Sequence, residues 1–223
     1  MINQWKEDNA FFYENGFYLT SKTERMSNIL SHYELYQKIV DLPGDVVELG
    51  VFKGASLIQF STFRNLLENE KSRKIIGFDV FDVFPKANNE ADKKFRDEWV
   101  KATNNEYLTK EEVEKSLAFK NLKNVELVKG DIAKTIPEYL KKNPNLRIAM
   151  LHIDTDIYEP AKIALEELYD RVVVGGIIIS DDYAVAGETK AIDEFFANKG
   201  LSIHKLPISQ HKPSYVIKEE WSR

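Results

Sequence analysis

The chain has 223 residues and a mass of 25.8 kDa, a length that suits one domain with embellishments. Hydrophobic residues make up 43% and charged residues 30%, ordinary globular values that exclude a collagen-like, low-complexity or wholly disordered chain. With 31 Lys+Arg against 36 Asp+Glu the net charge is -5, the wrong sign for gripping phosphate backbones, so no nucleic-acid partner is expected. There is no cysteine, hence no disulfide framework, thiolate metal site or thiol nucleophile, and any metal must be held by oxygen or imidazole. The longest apolar runs, such as residues 172–179, are too short to span a bilayer, and residues 1–6 lack a basic-then-apolar signal pattern. The expectation is a cytoplasmic protein with no membrane partner.

Residues 1–18 carry six aromatics without clear periodicity (Trp5, Phe11, Phe12, Tyr13, Phe17, Tyr18). They read as an arm that packs on the main body, with another subunit as the alternative surface. From Thr20 onward Met26, Ile29, Leu30, Tyr33, Tyr36 and Val40 fall at helical spacing, with Ser21 or Thr23 available as a cap and Leu42-Pro43-Gly44 as a stop. Short apolar runs then alternate with helical patterns. Strands are expected at 45–49, 74–78, 125–129, 147–153 and 172–180, and helices at 55–67, around 136–140, 160–169 and 188–198. Segments 201–206 and 214–218 look like two antiparallel strands. This alternation predicts an α/β fold, a mostly parallel sheet with helices on both faces, and the nearly all-apolar strands fit a sheet covered on both sides. Residues 86–120 interrupt the rhythm with eight acidic and eight basic residues in 35 positions, anchored by Phe95, Trp99, Val100, Leu117 and Phe119. They read as a helical insertion, either a lid over a site or a solvated decoration. The expected organisation is an arm and helix over 1–42, then one domain over 43–223 carrying the insertion.

Open parallel sheets bind ligands beyond the carboxyl ends of their strands, and here those ends are acidic. The first strand runs into Glu48-Leu49-Gly50-Val51-Phe52-Lys53-Gly54-Ala55-Ser56, where the two glycines permit a tight turn and a close approach to a ligand. Glu48 stands where the dinucleotide fingerprint wants its first glycine, which lowers a nicotinamide reading. The second strand ends at Asp79, placed to accept hydrogen bonds from ribose hydroxyls or to serve a turn. Gly130-Asp131 follows the third strand, facing a purine amine or capping the next helix. Asp154-Thr155-Asp156 and Asp181-Asp182 end two neighbouring strands and bring four carboxylates into one crevice. Two such charges about 4 Å apart repel by about 4 kcal/mol at an effective dielectric near 20, so a cation is the natural remedy. All-oxygen ligation suits Mg²⁺, Mn²⁺ or Ca²⁺ better than Zn²⁺, and the alternative is that these residues cap helices and face water. None of the four histidines sits at metal-pair spacing. His152 reads as a core residue, His211 as a loop residue within reach of a pocket mouth. No serine stands in a nucleophile-elbow context.

Taken in order, these motifs resemble a class I S-adenosylmethionine-dependent methyltransferase, and more closely the macrocin-type, metal-dependent O-methyltransferases that act on sugars of antibiotics. The resemblance runs from Glu24-Arg25 through the 43–56 segment, Asp79-Val80-Phe81-Asp82, Gly130-Asp131 and Thr135. It is strongest from Asp154-Thr155-Asp156-Ile157-Tyr158-Glu159 to Gly175-Gly176 and Asp181-Asp182-Tyr183. It implies a Rossmann-like sheet of seven strands with the last one reversed. It implies that Glu48, Gly50, Val51, Gly54 and Ser56 line the methionine end and ribose side of S-adenosylmethionine, that Asp79, Val80 and Phe81 hold the ribose, and that Gly130 and Asp131 approach the adenine. Asp154 touches the cofactor side and, with Asp181 and Asp182, binds Mg²⁺; Asp156 is the expected general base. The implied acceptor is a small molecule carrying a sugar hydroxyl, and the aromatic arm suits a homo-oligomer. Two other readings stand beside it. One is a catechol or phenol methyltransferase, disfavoured because Ile157 replaces the lysine such enzymes often carry three positions after the first metal aspartate. The other is a non-catalytic nucleoside-binding module.

Overall fold

The computed structural model describes residues 6–209 and 212–219; Trp5 and His211 lie outside them. A 3-10 turn (Glu7–Asn9) leads into helix α1 (Ala10–Thr20), and a two-residue break separates it from α2 (Thr23–Gln37). The α/β alternation follows: β1 (Asp45–Leu49), α3 (Ala55–Leu67), β2 (Ile75–Asp79), α4 (Glu90–Thr103), α5 (Lys110–Phe119), β3 (Val125–Lys129), α6 (Ile132–Lys142), β4 (Ile148–Ile153), α7 (Tyr158–Leu168), β5 (Val172–Ser180), α8 (Ala186–Phe196), β6 (His204–Lys205) and β7 (Ser214–Ile217). The sheet order is β3-β2-β1-β4-β5-β7-β6. Strands β1 to β5 pair in parallel, and β7 runs antiparallel to both β5 and β6. The order reverses between β1 and β4, and that switch point sets a crevice at their carboxyl ends.

Apolar packing covers both faces. On one, Leu35 and Tyr36 of α2, Ile39 just after it, Leu57 and Phe60 of α3 and Val113 of α5 pack on Val46, Met150 and Ile177. On the other, Ile136 of α6, Ala161, Ala164 and Leu165 of α7 and Ile192 of α8 pack on Val47, Leu151 and Ile178. Neighbouring strand residues point to opposite faces, so Glu48 and His152, paired in register across β1 and β4, lie side by side under α2 and α3.

Several boundaries differ from the sequence expectation, each for a local reason. The described part of the aromatic arm leads into helix α1, none of whose residues is buried. Phe11, Phe12, Tyr18 and Leu19 are 76%, 73%, 64% and 81% exposed, so packing of the arm on the body does not hold for them. Their apolar positions surround the helix instead of forming one stripe. Helix α6 starts four residues earlier than expected because the Asp131 side chain accepts the Ala133 N–H at 3.0 Å as its cap. Helix α7 starts at Tyr158, ahead of Pro160, because a distant carboxylate, Asp92 of α4, accepts the Tyr158 N–H at 3.0 Å. The insertion is two helices, and α5 contributes the fully buried Val113 to the core. No helix among the described residues is long and apolar enough to cross a membrane.

Candidate active site

A cavity of about 1380 Å³ opens over the carboxyl ends of the parallel strands. Single-ligand pockets run about 300–1,000 Å³, so this one has room for two ligands side by side. One end is formed by the loop after β1. A side chain at Gly50 would bring a Cβ within 1.8 Å of the Asp154 carbonyl oxygen, so glycine there lets the β1 and β4 loops touch. The Asp79 carboxylate organises the same loop: Oδ2 accepts the Val51 and Phe52 N–H groups at 2.7 and 2.8 Å, and Oδ1 accepts that of Phe81 at 2.6 Å. The Val80 amide acts on the same carboxylate, so Asp79 gathers the backbone of both loops at this end of the cavity. Burial pushes Asp79 above the usual carboxylate range, against those amides.

The other end carries the aspartates. Asp154, Asp156, Asp181 and Asp182 all line the cavity. Burial and then the charges of Asp181, Asp182 and Asp156 raise Asp154 well above its ordinary value, while burial and Asp182 push Asp156 up to about 9. Asp156 also holds a left-handed backbone, φ 62°, uncommon for a residue with a side chain. Asp181 is shifted in the opposite direction. His32 Nε2 lies 2.8 Å and His152 Nε2 3.5 Å from its Oδ1, and these histidines hold it well below the carboxylate range despite burial. Asn28 donates to the same Oδ1 at 3.2 Å, leaving Oδ2 with one long contact from Asn28 at 3.5 Å. Lys212 Nζ meets Asp182 Oδ1 at 2.9 Å.

His152 links the two ends. Its Nδ1 faces Glu48 Oε1 and its Nε2 faces Asp181 Oδ1, each at 3.5 Å. At that length neither contact is an aligned hydrogen bond, so the attraction is between charges. Burial opposes a charge on the ring, and Asp181 and Glu48 outweigh it, pushing His152 up to about 10. His32, His152 and Asp181 place three ligand atoms within 4.8 Å of one another. The His32 Nδ1 is engaged by Gln59 Oε1 at 2.9 Å, and of the trio His32 and Asp181 lie on the cavity wall while His152 stands behind it. Glu48 is fully buried, accepts from the Ser56 hydroxyl and stands behind Ser56.

Most of the expected site residues converge. Gly50, Val51, Ser56, Asp79, Val80, Phe81, Asp131, Asp154, Asp156, Asp181 and Asp182 line one cavity. Glu48, Gly54 and Gly130 are not on its wall: Glu48 turns inward to Ser56 and His152, and Gly54 is the N-cap of α3. Asp131 combines the cap and the wall. The insertion supplies Phe95, Trp99 and Tyr107 to the wall, and Trp99 rests on Phe52 with ring centroids 5.5 Å apart, so it roofs the site rather than decorating it. Asp92, Asn28 and His32 escaped the sequence reading because each acts across 66 or more positions.

This sheet order, the reversed β7 and a crevice at the strand ends define a class I, Rossmann-like methyltransferase fold. The profile of the macrocin O-methyltransferase (TylF) family matches residues 17–210, and the chain belongs to that family. The mycinamicin III 3''-O-methyltransferase of Micromonospora griseorubida is 30% identical over 171 residues, covering 72% of this chain and 63% of that protein. A tetracenomycin rhamnosyl 4'-O-methyltransferase of Streptomyces olivaceus is 28% identical over 165 residues, covering 72% and 61%. The chain therefore spans about three fifths of the length of these curated relatives. The crystal structure of CalS11, a calicheamicin methyltransferase, superposes with a TM-score of 0.73 at 26% identity, covering 98% of this chain and 89% of that one. The O-methyltransferase NovP shares the fold with a TM-score of 0.75 at 23% identity, over 87% and 80%.

The raised groups make stability depend on pH. A group whose folded value lies above its unfolded one binds more protons when folded, and its contribution is lost as pH rises through the folded value. Asp156, raised from 3.8 to about 9, and His152, raised from 6.5 to about 10, both act this way between pH 7 and 9. Asp181, lowered, loses its contribution only in acid. In the presence of a chelator, the melting temperature should fall steadily from pH 7 to pH 9, with about 1.4 kcal/mol lost per pH unit for each extra proton held. Added Mg²⁺ should restore more at pH 9 than at pH 7. A flat profile with chelator would contradict this charge assignment.

Proposed function

We propose that this chain is an S-adenosylmethionine-dependent O-methyltransferase that methylates a sugar hydroxyl on a small molecule and uses a divalent cation, Mg²⁺ foremost. The observation that carries the reading is the juxtaposition of a glycine loop and four aspartates in one cavity large enough for cofactor and acceptor together. Family membership supports the chemistry, and the relatives' names support the acceptor class: CalS11 is described as a TDP-rhamnose 3'-O-methyltransferase.

The residues present fit both groups. Crowded carboxylates that raise the proton affinity of Asp154 form an all-oxygen donor set that Lys212 and the two histidines compensate only at Asp182 and Asp181, which suits Mg²⁺, with Mn²⁺ or Ca²⁺ as substitutes. Asp154, Asp181 and Asp182 would hold the ion. Gly50, Val51 and Ser56 would border the methionine end of the cofactor, Asp79 with Val80 and Phe81 the ribose, and Asp131 the adenine. Bound there, S-adenosylmethionine supplies an electrophilic methyl on sulfonium, and the cation lowers the proton affinity of the acceptor hydroxyl.

The chain's own residues do the rest. With a cation offsetting the neighbouring carboxylates, Asp156 would be ionised and would take the hydroxyl proton as the oxygen–carbon bond forms and the carbon–sulfur bond breaks. Its burial beside Asp182 makes it a stronger proton acceptor than an exposed carboxylate near 3.9. Glu48 fixes the Ser56 hydroxyl, and the aromatic roof of the insertion excludes water from the reacting atoms. Asp156→Asn should keep cofactor affinity within about twofold and lower methyl transfer to nucleotide-linked or glycosidic sugars by at least about a hundredfold. Unchanged turnover would remove Asp156 from the mechanism.

The chain is further proposed to act as a homo-oligomer, with a second copy covering α1. An 11-residue helix is too short to be stable on its own in water, and α1 leaves its large apolar side chains exposed. In sedimentation the full chain should exceed the monomer mass, and a chain lacking residues 1–20 should run as a monomer. Equal subunit counts would reject an arm-mediated contact.

A further inference from the structure

Glu188 is the third residue of α8, fully buried and absent from the cavity wall. Its carboxylate collects four donors, three from the loops after β4 and β5 and one from the last residue of β5. Oε2 accepts the Thr155 N–H at 3.0 Å and the Asp156 N–H at 3.1 Å. Oε1 accepts the Ser180 hydroxyl at 2.7 Å and, more weakly, the Asp182 N–H at 3.3 Å. We propose that Glu188 is a positioning residue of the site: one carboxylate ties the loop bearing Asp154 and Asp156 to the loop bearing Asp181 and Asp182, and so sets the spacing of the cation's ligands. This rests on the reading of the site as a cation-assisted methyltransferase.

Two features make the clamp more than a helix-end contact. Asp156 has a left-handed backbone, φ 62°, and Thr155 and Asp156 aim consecutive N–H groups at one oxygen. Consecutive amides converging on an anion are the arrangement that a left-handed residue permits, so Glu188 supplies the anion that holds this turn. Second, a fifth carboxylate next to four aspartates adds to the repulsion there, since the Glu188 charge is among those acting on Asp154 and Asp156. A neutral amide would avoid that repulsion but offers a single acceptor oxygen, and its NH₂ would face donors on one of the two loops. Only a carboxylate accepts on both sides at this size. Glu188 touches neither cofactor nor acceptor; it acts through the loops, as outer residues that orient metal ligands do.

The test uses Glu188→Gln in the full chain, with calorimetry of Mg²⁺ binding in saturating S-adenosylhomocysteine, calorimetry of S-adenosylhomocysteine alone, and amide hydrogen exchange. Expected are S-adenosylhomocysteine affinity within about twofold of the parent, Mg²⁺ affinity at least about tenfold weaker, and faster exchange at Thr155, Asp156 and Asp182 with β4 and β5 still protected. A folded variant with Mg²⁺ affinity unchanged would overturn the proposal, as would unchanged exchange. Should Glu188→Gln not fold, Ser180→Ala removes one of the four donors and is read the same way. A Mg²⁺ affinity about threefold or more weaker supports the clamp, and an unaltered one overturns it. If the parent chain binds neither S-adenosylhomocysteine nor Mg²⁺, the methyltransferase reading fails and Glu188 with it as a ligand-positioning residue. Ligand binding by the parent that is insensitive to Glu188 defeats the clamp alone.

Discussion

Negative charge held at the ends of β4 and β5 is the constraint around which the rest of this molecule is arranged. Four aspartates share one cavity wall, and a buried glutamate and a buried imidazole stand directly behind them. Taking unpaired charges out of water costs several kcal/mol each, so such a cluster persists only where partners or ligands compensate it. The protein compensates unevenly. Asp181 has His32, His152 and Asn28, and Asp182 has Lys212, whereas Asp154 has no ion-pair partner among the described residues and is driven toward protonation by its neighbours. That imbalance makes the site receptive to a cation.

The compensating groups also join the site's two halves. His152 sits between Asp181 at the aspartate end and Glu48, which holds Ser56 at the glycine-loop end. Gly50 brings those loops into contact from above, and His32 reaches Asp181 from α2, which packs on the sheet face over β4. A change at one end is therefore felt at the other through charge as well as packing. The insertion is held to the same frame: the Asp92 carboxylate accepts the first N–H of α7 and lies against Gly187, where an added Cβ would come within 2.1 Å of Asp92 Oδ1.

The strands were legible because their composition and their neighbours agree. Residues 45–49, 125–129 and 172–180 are short valine-, leucine- or isoleucine-rich segments closed by glycine or aspartate, and the structure keeps those bounds. The acidic strand ends were legible for the same reason, since a carboxylate at the end of a buried strand has few structural uses. What the sequence hid depends on contacts between distant elements. Pro160 suggested a helix start, but Asp92, 66 residues away, caps α7 two residues earlier. His32 and His152 are unremarkable singly and become an ion-pair cluster only when α2 packs over β4. Glu48 carries the resemblance to cofactor-binding motifs yet points away from the cavity, because the pleat places it beside His152. Glu188 reads as an ordinary acidic residue in a first helical turn, and nothing local reveals that it gathers amides from two loops.

The measurement that tests the account most directly is calorimetric titration of S-adenosylmethionine into the purified chain, with Mg²⁺ and again after chelation. The glycine loop and Asp79 are complete without the ion, so saturable one-to-one binding is expected in both conditions, with the cation sharpening it. No heat of binding in either condition would mean that the loops and the aspartates serve another ligand, and the methyltransferase reading would fall.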